Sequence, residues 1–193
     1  QGATTSSAQD DEEGSTPTVS EAVAKIGSNE YGTLQEAVAN AEEEDTIVLL
    51  ADATSESLLS IDKNLTIDFN GKAITFSDGG FDIAYEKQGA SLTLKNGTVK
   101  AQKWAAWLQN KATLTIESTM SVEGNLGQFD NKTGIAVTEG STLNVYGTVK
   151  SSKTSVISGN GTVSDDEDLG HTSINIFPGA KIIGENDAAG IYH

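Results

Sequence analysis

The sequence predicts an all-β solenoid, a coil in which short parallel strands stack on their equivalents one circuit away. Three observations support this class: a repeated triplet, a turn after it, and a second short apolar alternation after the turn. The triplet occurs at Leu65–Ile67, Leu92–Leu94, Leu114–Ile116, Leu143–Val145 and Ile174–Ile176. Successive copies begin 27, 22, 29 and 31 positions apart (92−65, 114−92, 143−114, 174−143). Repeats of about 20 to 50 residues are typical of solenoids.

Alternation within one circuit assigns the inner and outer faces of the strands. Leu65, Ile67 and Phe69 point inward and the residues between them point outward, because successive side chains of a strand lie on opposite faces. A turn and a second side follow each triplet. A third side recurs as Ala106–Leu108, Ile135–Val137 and Gly190–Tyr192. We therefore expect three short strands per turn and about five to six turns.

An amphipathic helix is predicted before the first triplet, at about residues 33–43. Leu34, Ala37, Val38 and Ala41 recur at helical spacing. Thr33 and Glu36 form the pattern of a capping box, in which hydroxyl and carboxylate satisfy free backbone N–H groups. A buried strand is predicted to follow over residues 46–50.

The first 20 residues have a different composition from the rest of the chain. They hold few apolar side chains and include an acidic run at residues 10–13, too little apolar surface to offset the entropy of ordering. We predict a flexible, acidic, Ser/Thr-rich tail over residues 1–20. Residues 21–193 are predicted to form a single domain.

Composition and charge argue against several classes of function. The formal net charge is −16, and all 12 basic residues are lysine, which disfavours binding to nucleic acid or to anionic membrane surfaces. The chain has no cysteine, so disulfides, zinc–thiolate sites and thiol nucleophiles are excluded. No apolar run has the length of a membrane-spanning helix. We expect no cofactor, no nucleic-acid partner and no membrane insertion.

Several segments together resemble a known family, namely Ile26-Gly27, Tyr31–Ala37, Asp45–Leu50 and Leu65–Lys72. They are similar to the opening of right-handed parallel β-helix modules, the pectin-lyase-like fold of surface proteins from Gram-positive, often gut-dwelling, bacteria. The resemblance covers about residues 24 to 193. It implies a right-handed coil, an N-terminal helix that plugs the mouth of the coil, and a secreted or cell-surface location.

Four aromatic residues are the candidate binding site. If Ala106 and Leu108 face inward, Trp107 faces outward, and Trp104 lies at the preceding corner. Tyr146 and Phe177 are outward by the same alternation. Exposed aromatic residues can stack on sugar rings or anchor a protein partner. The alternative is that Trp104 packs under a loop and Trp107 lies along an aliphatic side chain.

Acidic residues are concentrated in one loop, where Asp165, Asp166 and Asp168 are weak calcium candidates. A hydrolase needs two carboxylates across a groove, about 5–10 Å apart, and here the acids are crowded into one loop. The lyases of the resembling fold commonly abstract a sugar proton with arginine, which this chain lacks. We therefore predict no catalytic residues and do not commit to a metal site.

The function predicted from the sequence is a non-catalytic, extracellular module of a bacterial surface protein, with a face for adhesion to a glycan or a host protein. The alternative is a polysaccharide lyase or glycoside hydrolase of the same fold, active or degenerate. A purely structural spacer is the third hypothesis. Because His193 ends the sequence partway round a circuit, we expect the chain to continue, or a partner to make edge-to-edge contact with that turn.

Overall fold

Residues 21–159 and 170–193 are described by the computed structural model. Within them, every strand belongs to one of three sheets, and from β3 onward each sheet takes every third strand along the chain. Sheet A contains β1 (Ala24–Ile26), β2 (Asn29–Tyr31), β3 (Thr46–Leu49), β6 (Leu65–Asp68), β9 (Ser91–Lys95), β12 (Thr113–Ile116), β15 (Thr142–Val145) and β18 (Ser173–Ile176). This is a β-solenoid-like architecture, as the repeated triplet predicts.

The other two sheets are parallel throughout. Sheet B contains β4 (Ala53–Ser55), β7 (Ala73–Phe76), β10 (Gly97–Ala101), β13 (Met120–Gly124), β16 (Thr148–Ser151) and β19 (Lys181–Gly184). Sheet C contains β5 (Leu59–Ile61), β8 (Phe81–Ile83), β11 (Ala106–Leu108), β14 (Ile135–Val137), β17 (Ser155–Ser158) and β20 (Ala189–Tyr192). The predicted all-β class and its parallel pairing are confirmed.

The register of sheet A confirms that the five triplets are equivalent. Leu65 pairs with Leu92, Leu92 with Leu114, Leu114 with Leu143, and Leu143 with Ile174. The inward members of the middle circuits are almost completely buried and form one apolar cluster with the inward residues of sheets B and C. Each circuit therefore buries its side chains against the circuits on either side.

The register of sheet C differs from the sequence pattern in its last strand. Ile135 pairs with Ile157, and Ile157 pairs with Ile191. Tyr192 therefore continues the outward column that contains Trp107 and Ala136. The triplet Gly190–Tyr192 is shifted by one residue relative to the two earlier third sides, and such a shift exchanges the faces of the strand.

The helix is shorter than predicted. Helix α1 is Leu34–Asn40, not about 33–43, because Ala41 adopts an extended backbone and Asp45 accepts a hydrogen bond from the Glu42 N–H. The predicted hydrogen-bonding roles of Thr33 and Glu36 at the N-terminus of the helix are confirmed. The Thr33 hydroxyl accepts from the Glu36 N–H, and the Glu36 carboxylate accepts from the Gly32 N–H. The buried residues of α1 are Leu34, Ala37 and Val38.

Candidate ligand-binding trough

An outward column on sheet C aligns residues that are far apart in the chain. Trp107 pairs with Ala136, Ala136 with Ser158, and Ser158 with Tyr192. Neighbouring strands lie about 4.8 Å apart, so the three steps from Trp107 to Tyr192 span about 14 Å along the axis of the stack. This part of the column therefore has a large aromatic residue at each end and two small residues between them.

Two adjoining hollows lie over this column. One, of about 160 Å³, is lined by Trp104 and Trp107, and the other, of about 380 Å³, extends to Tyr192. Both are lined by residues 131–133 and by Ala136. We call the pair together the trough. Its small floor residues leave room for a ligand between the aromatic ends.

The two tryptophans form one end of the trough. Their ring centroids are 5.5 Å apart with an interplanar angle of 86°, an edge-to-face arrangement. Trp107 is 37% exposed and its Nε1 donates to the Thr138 hydroxyl at 3.3 Å. This confirms that Trp107 lies outward between the buried Ala106 and Leu108. The exposed ring offers an apolar surface fixed in orientation, as sugar stacking requires.

Trp104 is packed more deeply. A Cβ at Gly79 would lie 3.0 Å from Trp104 Cε2 and 2.7 Å from Leu58 Cδ2, so the absence of a side chain at Gly79 makes room for the indole. The Trp104 Nε1 is buried without a hydrogen-bond acceptor among the described residues. Trp104 therefore packs against Leu58 and Gly79 of the same chain, which agrees in part with the alternative that it lies under a loop. Its ring also lines the trough.

Lys132 lines the trough at the tryptophan end. Its Nζ lies 5.1 Å from the centroid of the Trp104 ring, a cation–π contact. Lysines nearby are paired with carboxylates: Lys103 with Asp78 and Lys153 with Asp130, each at 2.5 Å. Lys132 has no such ion pair within the described part of the chain. Sequence patterns did not single it out, because its position depends on a loop.

The loop that carries Lys132 is held from inside by Asn125, which is fully buried. The Asn125 side-chain amide donates to the carbonyls of Phe129, Lys132 and Lys153, and its carbonyl accepts from the Phe129 N–H at 2.8 Å. Satisfied buried networks of this kind fix one conformation. The wall of the trough is thus set by one side chain below it.

The other two predicted aromatic residues form a separate pair. The rings of Tyr146 and Phe177 stack at 4.0 Å with an interplanar angle of 8°. They lie one circuit apart, at the corners that follow β15 and β18 of sheet A. The structure therefore groups the four candidates into two patches, and the Trp104–Trp107 patch lines the trough.

A carboxylate beside Trp107 was also missed by sequence reasoning. Asp82 pairs with Trp107 in the outward column but is only 7% exposed. Burial raises the pKa of this carboxyl above its ordinary value; a hydrogen bond from Gln109 at 2.6 Å opposes the rise and the Asp62 carboxylate adds to it. Alternation places Asp82 outward, but its burial depends on the side chains around it.

The predicted calcium candidates, Asp165, Asp166 and Asp168, lie outside the described residues. Within residues 21–159 and 170–193, no group of three His, Asp or Glu side chains is arranged to hold a metal ion. In the same ranges, no helix has the length and apolarity needed to cross a bilayer.

Comparison with known proteins gives no match, whether to family models, curated proteins or solved structures.

Proposed function

We propose that the chain is a non-catalytic, extracellular adhesion module that binds a glycan in the trough. The observation that carries this proposal is the alignment of Trp107 and Tyr192 at the two ends of the trough, with small residues between them. Sugar sites commonly combine an apolar ring face with polar groups that fix orientation. Here the hydroxyls of Thr133 and Thr154 donate within the protein, to the carbonyls of Ser155 and Phe129, so toward a ligand their oxygens can accept hydrogen bonds.

The proposal includes the finer fold predicted from the sequence: a right-handed parallel β-helix of about five to six turns, closed at its N-terminal end by α1. The burial of Leu34 and Ala37 and the pairing of β1 with β3 support a closing role for this region. A module of this kind is secreted or on a bacterial cell surface, where a rigid stack displays the trough at a fixed orientation. A host protein is the second kind of ligand that such a face could hold.

The test is an array of glycans and host proteins probed with wild-type protein and two variants, Trp107→Ala and Tyr192→Ala. Both variants should lose at least about tenfold in affinity for the same ligand, because aromatic anchors dominate binding energy. Tyr85→Ala is the matched control, since Tyr85 is exposed and lies outside the trough lining. Retained binding by both trough variants, with melting curves like the wild type, would contradict the proposal.

The second candidate function is a carbohydrate-active enzyme, and Asp82 is the observation in its favour. A buried carboxyl with a raised pKa can act as a general acid. A hydrolase also needs a second carboxylate, and the nearby Asp62 already accepts hydrogen bonds from the backbone of Glu86 and Lys87. The described lining of the trough contains no carboxylate, and this is why we favour the non-catalytic function.

A reducing-sugar release assay distinguishes the two candidate functions. We expect no release from acidic or neutral polysaccharides by the wild-type protein. Release that disappears in Asp82→Asn would establish the enzymatic function instead. Tyr146→Ala serves as the control variant there, because Tyr146 lies at the corner after β15 of sheet A, whereas Asp82 is in β8 of sheet C.

A further inference from the structure

Lys132 gives the trough one positive charge that the protein itself leaves without a carboxylate partner. Its side chain is half-buried against the Trp104 ring, and the neighbouring Lys103 and Lys153 each face an aspartate. A partly buried charge is costly unless it is paired. A negatively charged group on the ligand would supply that partner through a short, charge-assisted hydrogen bond.

We infer that the trough selects an oligosaccharide that is mostly neutral and carries one acidic sugar, held by Lys132 at the tryptophan end. This inference rests on the proposed function and names the class of ligand for the same site. Among the described residues that line the trough, Lys132 is the one charged side chain. The remaining length, toward Ser158 and Tyr192, is lined by hydroxyls, small side chains and the tyrosine ring.

A polyanionic glycan fits this surface poorly. Such a chain would place further negative charges over the Tyr192 end, where the described lining offers no cation. The formal net charge of −16 also repels a polyanion over long range, more strongly at low salt. One acidic group near Lys132 gains a partner there, whereas each additional group gains none.

An acidic peptide is a weaker candidate than a sugar for this site. Extended peptides often bind by adding a strand to an exposed sheet edge. Beneath the trough, β11, β14 and β17 are each paired on both sides, so among the described strands of sheet C a peptide strand near the trough would add at β20, beyond the Tyr192 end, and not over the trough floor. Hydroxyls and aromatic rings, which the trough does offer, suit a sugar better.

A lysine side chain does not discriminate between a carboxylate and a sulfate ester on the ligand. Its ammonium group is a point charge without the planar fork that matches one anion geometry. A uronic acid carboxylate and a sulfate ester therefore both fit the inference. The experiment below carries one arm for each.

Tryptophan fluorescence reports binding at this site directly, because Trp104 and Trp107 are the two tryptophans of the chain. The wild-type protein is titrated with four tetrasaccharides: a neutral one, the same chain with one terminal uronic acid, the same chain with one sulfate ester, and a tetra-uronate. At least one singly charged chain should bind about tenfold tighter than the neutral chain. The tetra-uronate should bind more weakly than the preferred singly charged chain.

Two lysine variants separate the local charge from general electrostatics. Lys132→Met keeps an unbranched apolar side chain against Trp104 and removes the charge, so the tenfold preference for the singly charged chain over the neutral chain should disappear. Lys153→Met removes an equal charge from a lysine already paired with Asp130, and the preference should persist. A preference that survives in Lys132→Met would overturn the inference.

The remaining outcomes also decide the matter. Equal affinity for the neutral and both singly charged chains, or tightest binding of the tetra-uronate, overturns the inference but leaves the proposed function standing. No fluorescence response to any sugar overturns the inference and counts against the glycan function itself. In that case a response to an acidic peptide probe would assign the trough to a protein ligand instead.

Discussion

The two ends of the stack contain the same kind of inward-facing residues in different surroundings. At the N-terminal end, β3 is covered by its antiparallel partner β1, and Leu34 of the adjoining helix is completely buried. At the C-terminal end, Ile176 and Ile191 are 40% and 44% exposed. Their register partners one circuit earlier, Val145 and Ile157, are completely buried.

This difference shows where the stability of the coil comes from. An inward isoleucine is buried by the circuits on both sides of it, and a circuit with one neighbour leaves it partly exposed. In the described residues β18, β19 and β20 each pair on one side only. The same substitution should therefore lower the free energy of unfolding by different amounts in different circuits of the stack.

Among the truncations to alanine, the largest effect is expected for Ile116→Ala in the middle of the stack. Ile116 is completely buried, and removing its side chain should lower the free energy of unfolding by about 2–5 kcal/mol. Ile176→Ala, two circuits on in the same column, should cost less than about 1 kcal/mol. Urea melts of both variants measure this. Thr115→Ala, on the outward face beside Ile116, is the control and should change little; equal costs for all three would contradict the assignment of faces.

A smaller effect is expected at the N-terminal end from Thr33→Ala. Loss of the hydroxyl that accepts the Glu36 N–H should cost about 1 kcal/mol. Hydrogen exchange should become faster in α1 and β1 and remain unchanged in the C-terminal strands. Thr33→Ser, which keeps an accepting hydroxyl, is the matched control. Faster exchange in β18–β20 instead would show that the two ends are not independent.

The buried carboxyl of Asp82 should make the stability of the folded protein depend on pH. Because burial raises its pKa in the folded state above the ordinary value of 3.8, the folded protein binds the proton more tightly than the unfolded chain. Its contribution to stability is therefore greatest at low pH and is lost as the pH rises from 3.8 through the folded-state pKa. The difference in stability between Asp82→Asn and wild type should grow in favour of the variant over that interval. Glu123→Gln, partly exposed and paired with Lys150, serves as the control.

The smallest effect is expected for Ile191→Lys in the last circuit. Since Ile191 is already 44% exposed, a long side chain can reach solvent there, and we expect a change within about 0.5 kcal/mol. The same substitution at its buried partner, Ile157→Lys, should prevent cooperative folding. The two urea melts compare a circuit that is paired on one side with a circuit that is paired on both sides. An equally severe loss at Ile191 would mean that the last circuit is as closed as the middle.

Much of the fold could be predicted because stacking repeats a local pattern. The triplets of sheet A, the outward position of Trp107 and the cap at Thr33 all follow from residue spacing within a few positions. The helix end was placed three residues too late, because the acidic residues after Asn40 continue a helical composition. There the backbone turns to an extended conformation and Asp45 caps the turn.

The candidate site could be predicted only in part, because it depends on register and loops. Tyr192 was missed since its strand is shifted by one residue, and β17, with the consecutive buried residues Val156 and Ile157, does not alternate. Lys132 was missed because its place above Trp104 is fixed through Asn125. Neither feature leaves a periodic signal in the sequence.

The central claim is that stacking builds the trough, with Trp107, Ala136, Ser158 and Tyr192 in one outward column. Because the chain has no cysteine, a disulfide between Ala136→Cys and Ser158→Cys tests it most directly. Register neighbours on adjacent strands fall within the Cα separation of about 4.4–6.8 Å that a disulfide needs. We predict that this pair oxidises fully within the folded monomer, while Ala136→Cys with Lys150→Cys, which lies on sheet B, does not. Failure of the first pair to cross-link in a folded monomer, or equal cross-linking of the second, would contradict the column and the trough built on it.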